Sequence, residues 1–387
     1  MSEIKVNSIK GVGASAAAIT VNNTDGTCTA NITSVNDGQL GNRRININGG
    51  FQVFQRSTSA ASVGASGEGY FAPDRYRQSG TGSMRYTASQ STDVPAGYGF
   101  SNSLKYDCTT ASGTVSAGHF VAIEHRLEGQ DVQVFCKGTA QAKQYTLSFH
   151  VKSPKTGIHV VELYDNDNNR HVAKSYTISS ADTWQAVTLT FPADTTGAFG
   201  NDNGSSLRIF FWLMAGTDYA GSTLPSAWAS FSSTARATGQ VNVFDSTSND
   251  FFITGIQLEV GSVATDFEHR SFAQELALCQ RYLYITNGGG CGVGVGGGSN
   301  AVHRCQMNLP VTMRAAPSVT MNGSTMHTYD GANSAYFNGF AAVHSTNQAI
   351  DWETSDSERT AGSVTAYRPV IAYINSSSGG VICSAEL

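Results

Sequence analysis

The sequence predicts a mostly β chain: an antiparallel sandwich of the jelly-roll type, one short coiled-coil-like helix, and a second, small β-sandwich. Three observations predict this class. Short segments of alternating apolar and polar residues run from residue 46 to 270, as half-buried strands require. Clusters of Asp, Asn and Gly separate them, which is typical of tight turns. Helical spacing of apolar residues is convincing at one place, residues 271–284.

The strand pattern is clearest in the middle of the chain. Tyr145, Leu147, Phe149 and Val151 alternate with polar residues, and the segment LRIFFWLM (207–214) is apolar on nearly both faces. The first pattern predicts a half-buried strand and the second a central one. Because no helical segments intervene, an antiparallel sandwich is favoured. The long interruption 216–245 is predicted to be functional or to pack across one face.

The segment 250–284 joins a strand to the helix. Ser271, with Gln274 three residues later, is a capping-box signature. Four apolar residues then follow at spacings of four, three and four, as in the seam of a short coiled coil. They are Phe272, Leu276, Cys279 and Leu283. Two heptads are too short for a lone helix. The helix is therefore expected either to pack on its own sheet or to meet copies of itself around an axis, which would make an oligomeric fibre.

Composition limits the function classes. A chain of 387 residues suggests two or three domains. With a net charge of −5 and no basic run, neither nucleic acid nor membrane insertion is expected. The start MSEIKVNSIK lacks a signal-peptide core, so synthesis in a cytoplasm is expected. Seven cysteines without a Cys-x-x-Cys pair favour buried free thiols.

Two terminal regions flank the main sandwich and the helix. Residues 1–45 carry too little apolar surface for a core, so they are expected to dock on a partner, to intertwine with sister chains, or to be disordered before binding. Ile4, Val6, Ile19 and Val21 indicate short strands there, and Asp25-Gly26 a turn. Residues 285–387 are expected to form the small sandwich, here called the tip. Its glycine run 287–298 is predicted to be a flexible loop.

Neither a cofactor nor a metal is predicted. Gly292, Gly294 and Gly297 fit a dinucleotide spacing, but the required strand before it and helix after it are missing. Asp165, Asp167 and Asn169 alternate as calcium ligands do, yet the glycine and glutamate that such a loop needs are absent. We expect the glycine segment to be a flexible loop and the segment 165–169 to be a solvated turn.

Two kinds of candidate site remain. Asp351 and Glu353 share one face of a strand, as an acid–base pair of a glycan depolymerase would, although a solvated acidic loop looks the same. Exposed aromatics beside polar groups indicate sugar binding, unless they pack on their own sandwich. Two clusters fit that description: Tyr219, Trp228, Phe231 and Arg236 in the long loop, and Tyr329, Asp330, Asn333, Tyr336, Asp351 and Trp352 in the tip.

Three segments together resemble the distal tail-fibre and receptor-binding proteins of tailed bacteriophages, particularly those of marine hosts. The segments are INGGFQVFQRS (47–57) with APDRYR (72–77), FFITGIQLEVGSVATDFEHRSFAQELALCQRYL (251–283), and LPVTMRAAPSVT (309–320). They follow the family's order of carbohydrate-binding-like jelly roll, helix and β-rich tip. The resemblance implies an intertwined homotrimer, a virion location and binding to the host surface.

The expected function is that of a structural tail-fibre protein, assembled in the host cytoplasm and without enzymatic activity. Residues 1–45 would hold it to other virion tail proteins, 46–270 would form the jelly roll, 271–284 would join three chains, and 285–387 would touch host-surface glycan or lipopolysaccharide. Two alternatives stay open: a fibre-borne polysaccharide depolymerase, and an architectural capsid or tail fibre that binds virion proteins alone.

Overall fold

The computed structural model describes residues 8–9, 19–21, 28–30, 41–64, 67–286, 289–296, 303–321, 325–355, 357–364, 367–374 and 380–387. Within them the chain is mostly β and antiparallel, as predicted. The helices are α1 (Thr217–Ala220) and α2 (Phe272–Gln280). The strands are β1 (Ser8–Ile9), β2 (Ile19–Val21), β3 (Cys28–Ala30), β4 (Ser59–Val63), β5 (Tyr76–Thr81), β6 (Arg85–Ser91), β7 (Ser103–Thr110), β8 (Phe120–Glu128), β9 (Tyr145–Lys152), β10 (Gly157–Asp165), β11 (Arg170–Ile178), β12 (Gln185–Phe191), β13 (Ser205–Ala215), β14 (Ala229–Ser230), β15 (Asp250–Val260), β16 (Leu283–Ile285), β17 (Gly289–Gly296), β18 (His303–Asn308), β19 (Ser318–Met321), β20 (Met326–Tyr329), β21 (Ser334–Phe337), β22 (Ala342–Ser345), β23 (Ala349–Thr354), β24 (Arg359–Gly362), β25 (Pro369–Ile374) and β26 (Val381–Ser384).

Two six-stranded sheets form the large sandwich. Sheet I has the order β12-β9-β15-β7-β6-β4, and sheet II has the order β14-β11-β10-β13-β8-β5. Their inner faces share one core, in which Phe149 of sheet I meets Phe211 of sheet II edge-on at 5.2 Å between ring centroids. The apolar face predicted for 145–151 is the buried one, which confirms that alternation.

The tip is a second, smaller sandwich. An eight-stranded sheet, β22-β23-β18-β17-β25-β20-β21-β24, shares a core with the three-stranded sheet β16-β26-β19. The prediction of a flexible loop at 287–298 is wrong for residues 289–296, which form β17 inside the larger sheet. A Cβ on Gly292 would come within 2.4 Å of the Trp352 ring, and one on Gly294 within 1.9 Å of the Arg304 carbonyl oxygen. The glycines thus allow close packing of the neighbouring strand.

The N-terminal region is described in part. Strands β1, β2 and β3 form a three-stranded sheet, which confirms the strand predicted at Ile19 and Val21. Ile4, Val6 and the Asp25-Gly26 turn lie outside the described residues. Residues 41–45 lie against the large sandwich, since the backbone N–H groups of Arg43 and Arg44 donate to Glu268. The sandwich therefore begins before residue 46, whereas attachment to a virion through 1–45 stays a prediction.

Helix α2 follows its predicted capping box, because Ser271 and Gln274 bond to each other's backbone N–H groups. It ends at Gln280, however, and Leu283 begins strand β16. The four residues of the predicted seam do not form one continuous, solvent-exposed surface. Cys279 and Leu283 are buried within their own chain, Leu276 is half-buried and Phe272 is exposed. Helical spacing indicates that a face is buried but not which chain buries it. The homotrimer therefore stays a prediction.

A buried polar contact fixes α2 to the large sandwich. One carboxylate oxygen of Glu275 accepts from the Arg44 guanidinium, and the other accepts from the backbone N–H of Asn48 at 2.5 Å. The side chains of Arg44 and Glu275 are 1% and 4% exposed. Asn46 continues the contact, since its amide bonds to the backbone of Ile256 and Leu258 in β15.

In the part of the chain that the structure describes, the helices lack the length and hydropathy that a membrane-spanning helix requires.

Cys108, Cys279, Cys305 and Cys383 are buried free thiols, as predicted, and Cys136 is half-buried.

Replacing Glu275 by Ala is expected to lower the free energy of unfolding by about 3–5 kcal/mol, because it leaves the buried Arg44 guanidinium without its counter-charge. Denaturant unfolding measures the change. Glu353→Ala is the matched control, since it removes a half-buried carboxylate paired with the exposed Arg304, and little change is expected there. Equal losses in the two variants would refute the importance of the buried contact.

Candidate functional site

The residues predicted in the long loop lie on sheet II and are mostly packed. Trp228 is 8% exposed, and its indole N–H donates to the Pro192 carbonyl oxygen at 2.9 Å. Tyr219 packs on Phe120, with 4.6 Å between ring centroids. Arg236 forms an ion pair with the buried Glu162 at 2.9 Å. Trp228 therefore anchors the loop, whereas Tyr219 and Arg236 border the outer face of sheet II.

The residues predicted in the tip do not form one cluster. Trp352 is 1% exposed and belongs to the core. Asp330 accepts two backbone N–H groups within its own turn, one of them from Asn333. Tyr336 packs on the ring of His327 at 3.8 Å.

Tyr329 and Asp351 share one face of the eight-stranded sheet, because register pairs link them through Ile371, Val293 and Gln306. They lie four strands apart, which is about 19 Å at the usual strand spacing. One monosaccharide could not contact both.

Sheet I carries a groove that the sequence did not reveal. It has a volume of about 570 Å³, within the usual range for ligand sites. Its floor is the outward face of β9 and β12, with the side chains of Ser148, His150, Ala186 and Thr188. The segment 97–100 forms one wall, and the segment 264–269 after β15 forms the other.

Tyr98 is the most exposed ring of this groove. It is 53% exposed, and its ring lies 4.4 Å from the ring of His150 on the floor. Gly97 and Gly99 on either side both have positive φ values, 86° and 74°, which glycine adopts without strain, so the glycines permit the tight turn that carries Tyr98. The His269 ring connects the wall 264–269 to the wall 97–100, because its Nε2 donates to the Tyr98 carbonyl oxygen at 2.9 Å.

The His150 side chain, which the Tyr98 ring contacts, is a neutral group. Burial lowers its pKa below the ordinary histidine value, because a charged imidazolium is poorly solvated there. The ring is therefore uncharged at neutral pH, and Tyr98 rests on an aromatic surface.

Trp184 supplies a second ring next to the groove. Its indole N–H donates to Asp93 at 2.9 Å, and its ring meets Phe252 edge-on at 6.1 Å. Lys152 also binds Asp93 and lies 5.7 Å from the Trp184 ring. Although burial acts to raise the pKa of Asp93, the hydrogen bonds from Lys152 and Trp184 hold it below its ordinary value. The carboxylate therefore stays ionised and fixes the indole.

The two rings are spaced along one strand. Tyr98 packs on His150 and Trp184 lies beside Lys152, two residues further along β9, so the supports are about 7 Å apart. Half-exposed rings offer flat apolar faces to the CH-rich faces of sugars. The hydroxyl groups of Ser148 and Thr188 and the carboxylate of Asp93 can exchange hydrogen bonds with sugar hydroxyls.

Sequence reasoning missed Tyr98, Trp184 and His150. The available signal was PAGYGF (95–100), an aromatic residue between glycines in a turn. The pairing of Asp93 with Trp184 spans 91 residues, and no local pattern announces it.

No protein-family model and no curated protein matches the chain. Among solved structures, the enzymatically active domain of tailspike protein 4 from bacteriophage CBA120 is 14% identical with a TM-score of 0.29, and the match covers 56% of this chain and 21% of that one. A family 11 carbohydrate-binding module from Clostridium thermocellum is 10% identical with a TM-score of 0.26, covering 54% and 98%. An exo-β-agarase is 11% identical with a TM-score of 0.28, covering 58% and 26%. At such low TM-scores, these likenesses support no conclusion about function.

Replacing Gly255 by Ala is expected to distort the groove floor. Gly255 has a φ of 66° in the β15 bulge, and a Cβ there would lie 2.5 Å from the Phe100 ring under Tyr98. The free energy of unfolding should fall by about 1–3 kcal/mol. Gly97→Ala is the control, with a φ of 86° and nothing within 4 Å. An equal or larger loss in Gly97→Ala would contradict the close approach at Gly255.

Proposed function

We propose that this protein is a structural tail-fibre protein of a tailed bacteriophage that binds a host-surface glycan without cleaving it. The groove on sheet I supports the binding role, because two half-exposed rings are held firmly beside a floor of hydroxyl groups. The segments that resemble phage receptor-binding proteins support the virion location. Residues 1–45 would attach the chain to other virion tail proteins.

A homotrimer belongs to the same proposal. A shallow groove gives weak binding to one sugar chain, but several copies on one fibre raise the effective concentration of sites. Part of α2 is buried within its own chain, so the contact between copies would draw on its exposed residues, such as Phe272, or on another surface. The tip has one available face, on which Val293, Ile371 and Tyr329 are 66%, 53% and 38% exposed.

Tyr98→Ala is expected to weaken binding to purified envelope polysaccharide of a host strain by about tenfold, because the stacking face is lost. Biolayer interferometry with immobilised polysaccharide measures this. Tyr329→Ala is the matched control and removes an exposed tyrosine of the tip. Loss of binding in Tyr329→Ala alone, with an unchanged sedimentation mass, would place the contact at the tip and refute the groove.

The depolymerase is the second candidate, and one observation favours it. Asp351 and Glu353 lie in a cleft of about 520 Å³ with His344. As alternate residues of β23 they share one face of the strand, with Cα atoms about 7 Å apart, and inverting glycosidases use a pair of carboxyl groups on opposite sides of the scissile bond. One oxygen of Glu353, however, is already paired with the Arg304 guanidinium at 2.7 Å.

Incubation with host capsule or lipopolysaccharide is expected to release no new reducing ends. A reducing-sugar assay over many hours measures this, with Asp351→Asn as the matched variant. Steady release by the unmodified protein, abolished in Asp351→Asn, would establish the depolymerase instead.

Cell staining tests the architectural alternative. If fluorescently labelled protein fails to stain host cells yet joins fibreless particles, the protein is an architectural fibre that binds virion proteins alone.

A further inference from the structure

The outer face of sheet II holds a basin that is separate from the groove. It has a volume of about 240 Å³, and the strands β5, β8, β10 and β13 form its floor. The long loop 216–245 closes one side with Phe231 and Arg236. Four guanidinium groups line it, those of Arg77, Arg126, Arg208 and Arg236.

Three of these arginines have close carboxylate partners. Arg236 pairs with the buried Glu162 at 2.9 Å. Arg77 pairs with Glu68 at 2.7 Å and with Glu124 at 3.0 Å. Arg126 donates to both oxygens of Glu124, at 2.7 and 3.2 Å, and to the main-chain oxygen of Leu387 at 2.7 Å.

Arg208 is different. Its nearest carboxylate oxygen among the described residues belongs to Glu124 and lies 3.7 Å away, beyond hydrogen-bond distance. Its one hydrogen bond there runs to the hydroxyl of Ser205, at 3.3 Å. The Glu124 carboxylate is already shared between Arg77 and Arg126, so it cannot also satisfy Arg208.

The register of the sheet also places two positively charged side chains next to each other. Arg208 lies directly opposite Arg126 on the neighbouring strand, and like charges in that position are destabilising. Burial lowers the pKa of Arg208, and the positive charge of Arg126 acts in the same direction. The Glu124 carboxylate, which also lines the basin, offsets this repulsion only in part, because it bonds to Arg126 and stays 3.7 Å from Arg208. A negative group that reaches Arg208 from the solvent side would supply the close counter-charge that Glu124 does not.

Aromatic rings complete the basin. Tyr164 is the other cross-strand neighbour of Arg208, and its ring meets Phe231 edge-on at 5.2 Å. Arg236 lies 5.3 Å from the Phe231 ring and 4.8 Å from the Phe210 ring. A sugar ring can thus stack beside its own anionic substituent.

We propose that this basin binds an anionic sugar residue, with Arg208 and Arg126 receiving its carboxylate or sulfate group. Planar guanidinium groups suit either anion, because two N–H donors can meet two oxygens in parallel. The basin differs from the groove in charge, and it would select acidic units of a host polysaccharide. This inference stands independently of neutral-glycan binding at Tyr98.

The test uses the full chain and three defined probes: an oligoglucuronate, its carboxyl-reduced neutral form, and a sulfated oligosaccharide. Isothermal titration calorimetry should show binding of the oligoglucuronate or the sulfated probe that weakens as salt rises, and no binding of the reduced form at the basin. Whichever acidic probe binds identifies the anion. Preference for the reduced form, or no binding of either acidic probe, would overturn the proposal without any variant.

Arg208→Gln should lower the affinity for the acidic probe about ten- to a hundredfold, as expected for a lost charge-assisted contact. Its melting temperature without ligand should not fall, since the repulsion with Arg126 is relieved. Arg304→Gln is the matched control, an exposed arginine of the tip. Equal weakening in both variants would show non-specific charge attraction and refute the basin. Tyr98→Ala should leave acidic-probe binding unchanged, which keeps this outcome distinct from that of the groove.

Discussion

The buried carboxylate of Glu275 is the contact on which the rest of the architecture depends. It holds Arg44 and the backbone of Asn48, and so binds the segment before the first sandwich strand to helix α2. Both charges are almost fully removed from water, which is tolerable only while they stay paired. The helix is therefore packed on the large sandwich of its own chain, which is one of the two alternatives that its spacing left open.

This contact continues to the walls of the groove. Asn46 bonds to β15 on both sides of Gln257, whose side-chain oxygen accepts from the backbone of Glu268. Glu268 in turn holds the backbone of residues 43 and 44. The next residue, His269, supports the Tyr98 wall. A polar chain thus connects the helix to the groove.

The sequence was sufficient for the features that depend on local periodicity and fell short on those that depend on distant contacts. Alternation at 145–151 and the capping box at Ser271 both predicted the right local structure. The strand at 289–296 could not be predicted, because Gly292 is required by the close approach of Trp352, sixty residues later in the chain. Likewise, Trp228 resembled an exposed ring in a loop, and only the fold shows that it is buried. Tyr98 lines the groove and Trp184 lies next to it through contacts that no short segment contains.

Hydrogen–deuterium exchange of the full chain with and without host envelope polysaccharide tests the central claim most directly. Binding in the groove should slow exchange at residues 92–102 and 181–188, with no change in the tip strands. Protection confined to residues 303–374, or no protection at any saturating concentration, would contradict a binding site on the large sandwich.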